Sequence, residues 1–372
     1  MIADQWVRWP VGDGAVVLAL ALAVELAIGD PVSRWHPVAL FGRTIEGLFR
    51  RAPRTGRWRQ LAYGAIAAGA TVGSVALATA LLLRFAGEVS HGLAIVLGAA
   101  LLKASLSYRQ LAAEAGRVAD HLESGRLEEA RVSLRALVSR DTLSLPPALA
   151  ASAAVESVAE NLSDSFVAPL LYYVLFGVPG ALAYRAINTL DAQVGYHGPY
   201  EYIGRVAAKL DDAANLVPAR LTAALLVLAC ALARADPVLA LRTAWRDHLR
   251  TESPNAGWPM AAMAGGLRAR LEKPGHYRLG EVGGECTASS IRRSVAVTRW
   301  ATALAAGLAV AGAAWPRCGA RRRSPGWRRS SRRFTGRSTS IRPRKQGLAA
   351  RPAAAFWTSA RTATSSGPPP RP

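Results

Sequence analysis

LAYGAIAAGATVGSVALATALLL, residues 61–83, places 23 consecutive positions without one charged side chain. At about 1.5 Å of rise per residue, such a stretch crosses the roughly 30 Å hydrocarbon core of a bilayer. Arg57 and Arg59 precede it and Arg84 follows it, so charge returns where lipid headgroups would lie. A soluble helix of this length would turn one face to water and carry charge there, which sets the reading as a soluble helical core aside. Other runs repeat the pattern. Ala15 to Ile28 is broken only by Glu25 and is short, so Val11 and Val7 are expected to extend it. Gly92 to Leu102 continues past Lys103 toward Leu106. Phe166 to Tyr184 is apolar but contains Pro169, Gly177, Pro179 and Gly180. Val217 to Leu232 carries Arg220 near its start, and Val297 to Trp315 carries Arg299. The expected fold class is therefore all-α: a polytopic helical membrane protein with four to six membrane segments.

Arginine placement sets an orientation. Arg34, Arg43, Arg50, Arg51, Arg54, Arg57 and Arg59 crowd the segment between the first two runs, whereas the link between the second and third holds only Arg84 and Glu88. The positive-inside rule puts residues 31–60 and 107–164 in the cytoplasm. The Pro and Gly residues of 166–184 fit either a broken spanning helix or one that dips in and returns, a backbone tolerated where it faces protein or water. No small-x-small pattern follows the first apolar run, which ends at Gly29-Asp30-Pro31, so it does not read as a cleaved signal.

The polar regions have their own structure. Leu111, Val118, Leu122, Leu127, Leu134 and Leu137 form an apolar stripe over 107–140, interrupted by a turn at Ser124-Gly125, and a new helix is expected after Pro146-Pro147. Residues 235–296 form a further polar region whose first helix starts at Asp236-Pro237. Within it, Ser253-Pro254-Asn255-Ala256-Gly257-Trp258-Pro259 is too rich in Pro, Gly and Asn for regular helix. The main domain is expected to occupy 1–316.

The 372 residues carry a formal net charge of +21, from 46 Lys/Arg and 25 Asp/Glu. Residues 317–372 hold 15 of those bases and none of the acids, leaving only +6 for the rest. The basicity thus belongs to the tail, and nucleic-acid binding by the whole chain loses its support. The Arg-, Ser- and Pro-rich tail is expected to be disordered. It suits a basic arm for anionic lipid. Its composition is also that of GC-rich coding DNA read out of frame, so the native frame is expected to end or change near Trp315. Cys230, Cys286 and Cys318 are far apart and suggest neither a disulfide framework nor a zinc site.

The chemistry concentrates in Glu156-Ser157-Val158-Ala159-Glu160-Asn161-Leu162-Ser163-Asp164. Glu156, Glu160 and Asp164 recur every four residues and share one helix face, where like charges repel unless a cation lies against them. Mg²⁺ with nucleotide phosphates would supply that cation. The plainer reading is a solvated face, but this stripe runs straight into an apolar segment at Phe166, where an uncompensated carboxylate is costly. A second cluster comprises Arg185, Asn188, Thr189 and Asp191; a third comprises Lys209, Asp211, Asp212, Asn215 and Arg220. These groups either pair with one another structurally or form a joint site at the cytosolic membrane surface, with carboxylates on metal and Asn amides on a polar substrate. His36 sits in a Pro-flanked loop at the membrane edge, as a structural or a catalytic histidine. No Walker-type phosphate loop, HExxH or GxSxG occurs.

At these residues the chain resembles the adenosylcobinamide-phosphate synthase family of cobalamin biosynthesis. The matching stretches are Gly29-Asp30-Pro31 with His36-Pro37-Val38, and Glu156 to Asp164 leading to Ala168-Pro169-Leu170. They continue with Pro179-Gly180-Ala181, Tyr184 to Asp191, Val194-Gly195-Tyr196, Leu210 to Arg220, Ser253 to Pro259 and Ala262-Met263-Ala264-Gly265. The resemblance covers roughly 15–315, with only a loose match over 275–295 and none in the tail. It implies a multi-pass enzyme of the bacterial inner membrane with its active site on the cytoplasmic side. That enzyme is an amide-forming ligase joining a carboxylate of adenosylcobyric acid to (R)-1-amino-2-propanol or its O-phosphate. ATP and Mg²⁺ are the implied energy source and metal, with an acyl phosphate as the activated carboxylate. On this resemblance Glu156, Glu160, Asp164, Asp211 and Asp212 are expected to hold Mg²⁺, with Asp191 beside them in the catalytic set. Arg185 and Arg220 would meet phosphate. Asn161, Asn188, Asn215 and Asn255, with Ser253 and Trp258 of the same loop, would contact the amide-rich corrin. His36 is the candidate base for the amine. Two rivals remain: a corrinoid transporter, and a membrane scaffold that gathers other cobalamin-pathway enzymes.

Overall fold

The computed structural model describes residues 13–29, 37–53, 55–194, 201–280 and 284–314, all within one compact unit, Met1–Arg317. Among them, five helical stretches are long and apolar enough to cross a membrane: Arg57–Val89, His91–Glu123, Pro147–Val194, Tyr202–Leu232 and Ala288–Ala314. The helical membrane class expected from the sequence is the observed one. The basic tail, His36, and Val7 and Val11 fall outside the described residues.

Helix α1 (Asp13–Ala27) has 15 residues, about 22 Å at 1.5 Å per residue, which is short of a full crossing. The charge within it is answered from elsewhere. Lys103, at the end of α4 (His91–Lys103), places its Nζ 2.6 Å from Glu25 Oε2, and both side chains are almost wholly buried. Glu25 Oε1 also accepts the Arg109 backbone N–H at 2.9 Å, and the Arg109 guanidinium donates to the carbonyls of Leu26 and Ala27. The last carbonyls of α1, which lack partners within the helix, are capped in this way. Two charges that interrupt two apolar runs thus neutralise one another.

Between α1 and α4 lie α2 (Pro37–Arg50) and the 33-residue α3 (Arg57–Val89). Helices α5 (Tyr108–Glu123) and α6 (Leu127–Leu134) carry the predicted apolar stripe, and the turn between them has Gly125 at φ +70°. Helix α7 (Pro147–Leu162) starts at the second proline, whose missing N–H has no helical partner at that position. It passes through a π-helical turn, Ser163–Val167, into α8 (Ala168–Val194).

Helix α8 is not one rod. Gly177 has φ 70° and ψ −165°, with Pro179 and Gly180 just beyond. The chain turns back there: Asn188 reaches Asp164 at 3.4 Å. On a continuous helix these residues would lie about 36 Å apart. Tyr172 of the ingoing arm stacks on Tyr184 of the returning arm, with ring centroids 5.1 Å apart. Residues 166–184 therefore dip in and return. The returning arm ends with Leu190 and Val194 packed on Ile45, Phe49 and Ile203, beside the arginine-rich start of α3.

Helix α9 (Glu201–Leu232) is followed by α10 (Pro237–Asp247), with Asp236 capping the Leu239 N–H at 2.8 Å as the sequence predicts. Helix α11 (Gly257–Leu267) begins earlier than expected, inside the Pro- and Gly-rich stretch. Pro259 lies in its first turn, where a missing N–H costs little. A side chain at Gly266 would collide with the Cys230 sulfur, and this close approach lets α11 bury almost its whole surface against α9 and α10. A feature absent from the all-helical expectation follows: a small sheet of β1 (Ala269–Lys273), β2 (Tyr277–Leu279) and β3 (Gly284–Glu285), ordered β2-β1-β3. Strand β1 pairs antiparallel with β2 and parallel with β3. Helix α12 (Ala288–Ala314) closes the unit.

Candidate active site

The π turn at Ser163–Val167 holds Asp164 where the polar end of α7 meets the apolar arm of α8. Such turns insert an extra residue into the helical ladder and recur at functional sites. Here it carries Asp164 toward the returning arm of α8. The Asn188 amide donates to Asp164 Oδ2 at 3.4 Å, and the Tyr184 hydroxyl lies 3.4 Å from Oδ1. Arg185 donates to Asn188 Oδ1 at 3.0 Å and places its charge within reach of Asp164.

Tyr184 extends the network to α9. Its hydroxyl donates to Asn215 Oδ1 at 2.8 Å, and the Asn215 amide donates to Asp211 Oδ2 at 2.9 Å. Asp211 Oδ1 is buried with no hydrogen-bond partner. Asp212 pairs with Lys209 at 3.0 Å. The fold thus joins the first two polar clusters to the third. Glu160, Asp164, Asp191 and Asp211 all lie within mutual electrostatic reach, and Asp212 adjoins Asp191 and Asp211. Glu160 and Asp191 are half-buried, and their carboxylates accept no hydrogen bond among the described residues.

The loop before α11 forms an adjoining unit. Asn255 is buried and donates to the Asp212 carbonyl at 2.7 Å, while Arg220 donates to Asn255 Oδ1 at 3.3 Å. Arg220 also lies 5.2 Å from the Trp258 ring, which stacks on His248 at 3.9 Å. Ser253 Oγ accepts from the backbone N–H groups of Asn255 and Ala256. In this arrangement Asn255 fastens the loop to α9, and Ser253 holds the turn within the loop. The Asn161 amide is turned back onto Ser157.

Glu156 stands apart from its two stripe-mates. Its carboxylate accepts from Ser152 at 2.7 Å and from Tyr277 of β2 at 2.9 Å, and it pairs with Arg140 at 3.4 Å. Burial, then the Glu156 charge, push the Tyr277 hydroxyl well above its ordinary value, so it stays a donor. Tyr184, Tyr277, Arg140 and Lys273 were absent from the sequence-based set. Tyr184 alone had a signal, its place beside Arg185. Cys230 and Cys286 are free thiols, and burial pushes Cys286 up to about 12.

No three His, Cys, Asp or Glu among the described residues converge closely enough to form a ready metal cage. Mg²⁺ rarely uses one; it takes one or two carboxylates and leaves its other positions to water and substrate phosphates. The orphaned Asp211 Oδ1 and the nearby Asp164 fit that mode.

Similarity to known proteins is extensive. The model of the CobD/Cbib protein family matches residues 18–306. A cobalamin biosynthesis protein CobD of Dehalococcoides mccartyi is 43% identical over 267 residues, covering 72% of this chain and 86% of that protein. The CobD of Klebsiella pneumoniae is 42% identical over 69% of this chain and 82% of its own length. That of Mycobacterium tuberculosis H37Rv is 39% identical over 83% and 97%. No solved structure matches.

Proposed function

The chain belongs to the CobD/Cbib family and serves cobalamin biosynthesis, and from that premise we propose that it is the amide-forming ligase that joins adenosylcobyric acid to (R)-1-amino-2-propanol or its O-phosphate. The observation that carries this reading is the excess of negative charge around Asp164. Glu160, Asp164, Asp191 and Asp211 lie within electrostatic reach of one another, with Arg185 and Lys273 as the cations within reach of Asp164 and Glu160. Such a set is suited to a cationic ligand, whether a metal with its phosphates or a protonated amine.

Amide formation joins the amine nitrogen to a carboxyl carbon, expels one carboxyl oxygen and releases protons from nitrogen. Mg–ATP, when bound, would make that oxygen a leaving group and shield its charge. Asp211 and Asp164 would hold the metal. The unpartnered carboxylate of Glu160 would accept a proton from the amine, a role for which His36 is the other candidate. Arg185, fixed by Asn188, would offset charge that develops on phosphate oxygens. Leu190, next to Asp191, packs beside the arginine-rich α2–α3 junction, which supports a cytoplasmic active site in the bacterial inner membrane. The test is product identification by mass. Purified protein in detergent, given adenosylcobyric acid, ATP and Mg²⁺, should form an amide with one of the two amines. No amide with either would end the ligase reading and favour the scaffold, whereas transport activity confined to sealed vesicles would favour the transporter.

A further inference from the structure

The face of α7 that carries the site is longer than the site itself. Ser152, Glu156, Glu160 and Asp164 follow at four-residue spacing. The β1–β2 hairpin covers the first two. Ser152 Oγ accepts the Glu272 N–H at 2.8 Å, and the Tyr277 hydroxyl donates to Glu156. Lys273, the last residue of β1, stands directly opposite Tyr277 in the antiparallel register. Residues directly opposite share one face of a sheet. That face also carries Leu271, fully buried, two residues earlier. Lys273 is therefore a lysine on the inward side of a strand. Its ring-bearing neighbour reaches Glu156, and Lys273 has Glu160, one turn further along α7, within electrostatic reach. It is half-buried, and its ammonium makes no hydrogen bond or ion pair among the described residues.

An inward, unpaired ammonium is costly unless something anionic meets it. Glu160 cannot fill that role fully, since four other carboxylates, Glu156, Asp164, Asp191 and Asp211, lie within its electrostatic reach and no ion pair joins it to Lys273 among the described residues. We propose that Lys273 is a substrate-binding residue, delivered by the hairpin to the acidic end of α7, whose ammonium binds a phosphate oxygen beside the Glu160 carboxylate. A lysine suits this role as a compact, mobile point charge with three donors. The proposal rests on the ligase reading for its ligand, which is either the O-phosphate of the amine or the phosphates of the nucleotide.

Titration calorimetry on the full-length protein in detergent separates the possibilities. Aminopropanol O-phosphate and Mg–ATP are titrated separately into the wild type, Lys273→Met and Lys273→Arg, with thermal unfolding recorded for each. The Met variant is expected to weaken one ligand by about tenfold or more, as for loss of one charge-assisted hydrogen bond, with Arg restoring most of the affinity. The ligand affected identifies the phosphate. Should the Met variant lower the unfolding temperature, Lys273→Gln, which keeps a polar head, takes its place. Unchanged binding of both ligands in the variants overturns the proposal, as does failure of the wild type to bind either. Loss of phosphate binding on substitution, in a protein that forms no amide, removes the ligase reading and leaves the Lys273 site intact.

Discussion

Glu156 and Glu160 are the same residue type, one turn apart, yet their surroundings divide their roles. Three protein donors meet Glu156, and none meets Glu160. Tyr277→Phe should therefore lower stability by roughly 1–3 kcal/mol, the cost of under-satisfying a buried acceptor, while amide formation persists. Thermal unfolding beside an activity assay checks this, and loss of turnover in a fully folded variant would return Glu156 to the reacting set. Lys103 and Glu25 make a second residue-scale case. Removing one member of a buried pair strands the other, so Lys103→Met alone should cost about 3–5 kcal/mol. Lys103→Met with Glu25→Met should recover much of that loss. A double variant no more stable than the single would show that the pair is not what holds α1 to α4. The sequence marks both residues as breaks in apolar runs, but it cannot pair them, because the pairing arises only when α1 packs on α4. The acid stripe, the Asn and Arg of 185–220 and the Ser253–Trp258 loop were all legible as polar groups in apolar company. Which of them bond to protein and which stay free was not.

At the scale of the element, α8 decides the geometry. Its Pro and Gly residues announce a break, and a single sequence leaves open whether the broken helix crosses or returns. Contacts between its two arms settle that, and periodicity carries no trace of them. Gly177 sits at a backbone conformation that residues with a side chain seldom adopt, so Gly177→Ala should cost about 1–3 kcal/mol and loosen the contact of Asn188 with Asp164. A lower unfolding temperature together with reduced turnover is expected; wild-type behaviour in both would mean the turn is not strained. The returning arm also fixes sidedness. Single cysteines at the exposed Ser124 and Gln193 should react with an impermeant maleimide from the same face of sealed vesicles. Labelling from opposite faces would contradict the hairpin. The π turn and the β1–β2 hairpin were invisible beforehand. The first leaves no compositional mark, and the second is a short pairing stabilised by its seat on α7 rather than by its own residues.

For the molecule as a whole, the apolar runs and the arginine asymmetry dictate a helical membrane protein, and the polar region 235–280 buttresses the site from outside. That buttress is pH-sensitive. Burial alone would raise the Asp247 carboxyl, but hydrogen bonds from Arg246 and the Gly280 N–H, with the charges of Arg246 and Arg250, outweigh it and hold Asp247 below the ordinary carboxylate range. The Leu239 N–H and then Arg268 hold Asp236 down likewise, and the hydrogen bond from Arg278 does the same for Glu272. A depressed value in the folded state means that the stabilisation is present above the unfolded value, near 4, and is lost as pH falls through the folded one. The contribution of these three carboxylates to the unfolding temperature should thus be constant above about pH 5 and be lost below about 4. In Asp247→Asn the acid-dependent drop should shrink; an identical drop would place its origin elsewhere.

The most direct measurement compares amide formation by the wild type, Glu160→Gln and Asp164→Asn, each purified in detergent and supplied with adenosylcobyric acid, ATP, Mg²⁺ and the preferred amine. The expected result is an amide product from the wild type and at least a hundredfold loss in each variant, about 2.7 kcal/mol of transition-state stabilisation or more, with unfolding temperatures preserved. Turnover at the wild-type rate in both folded variants would contradict a reaction run by these carboxylates.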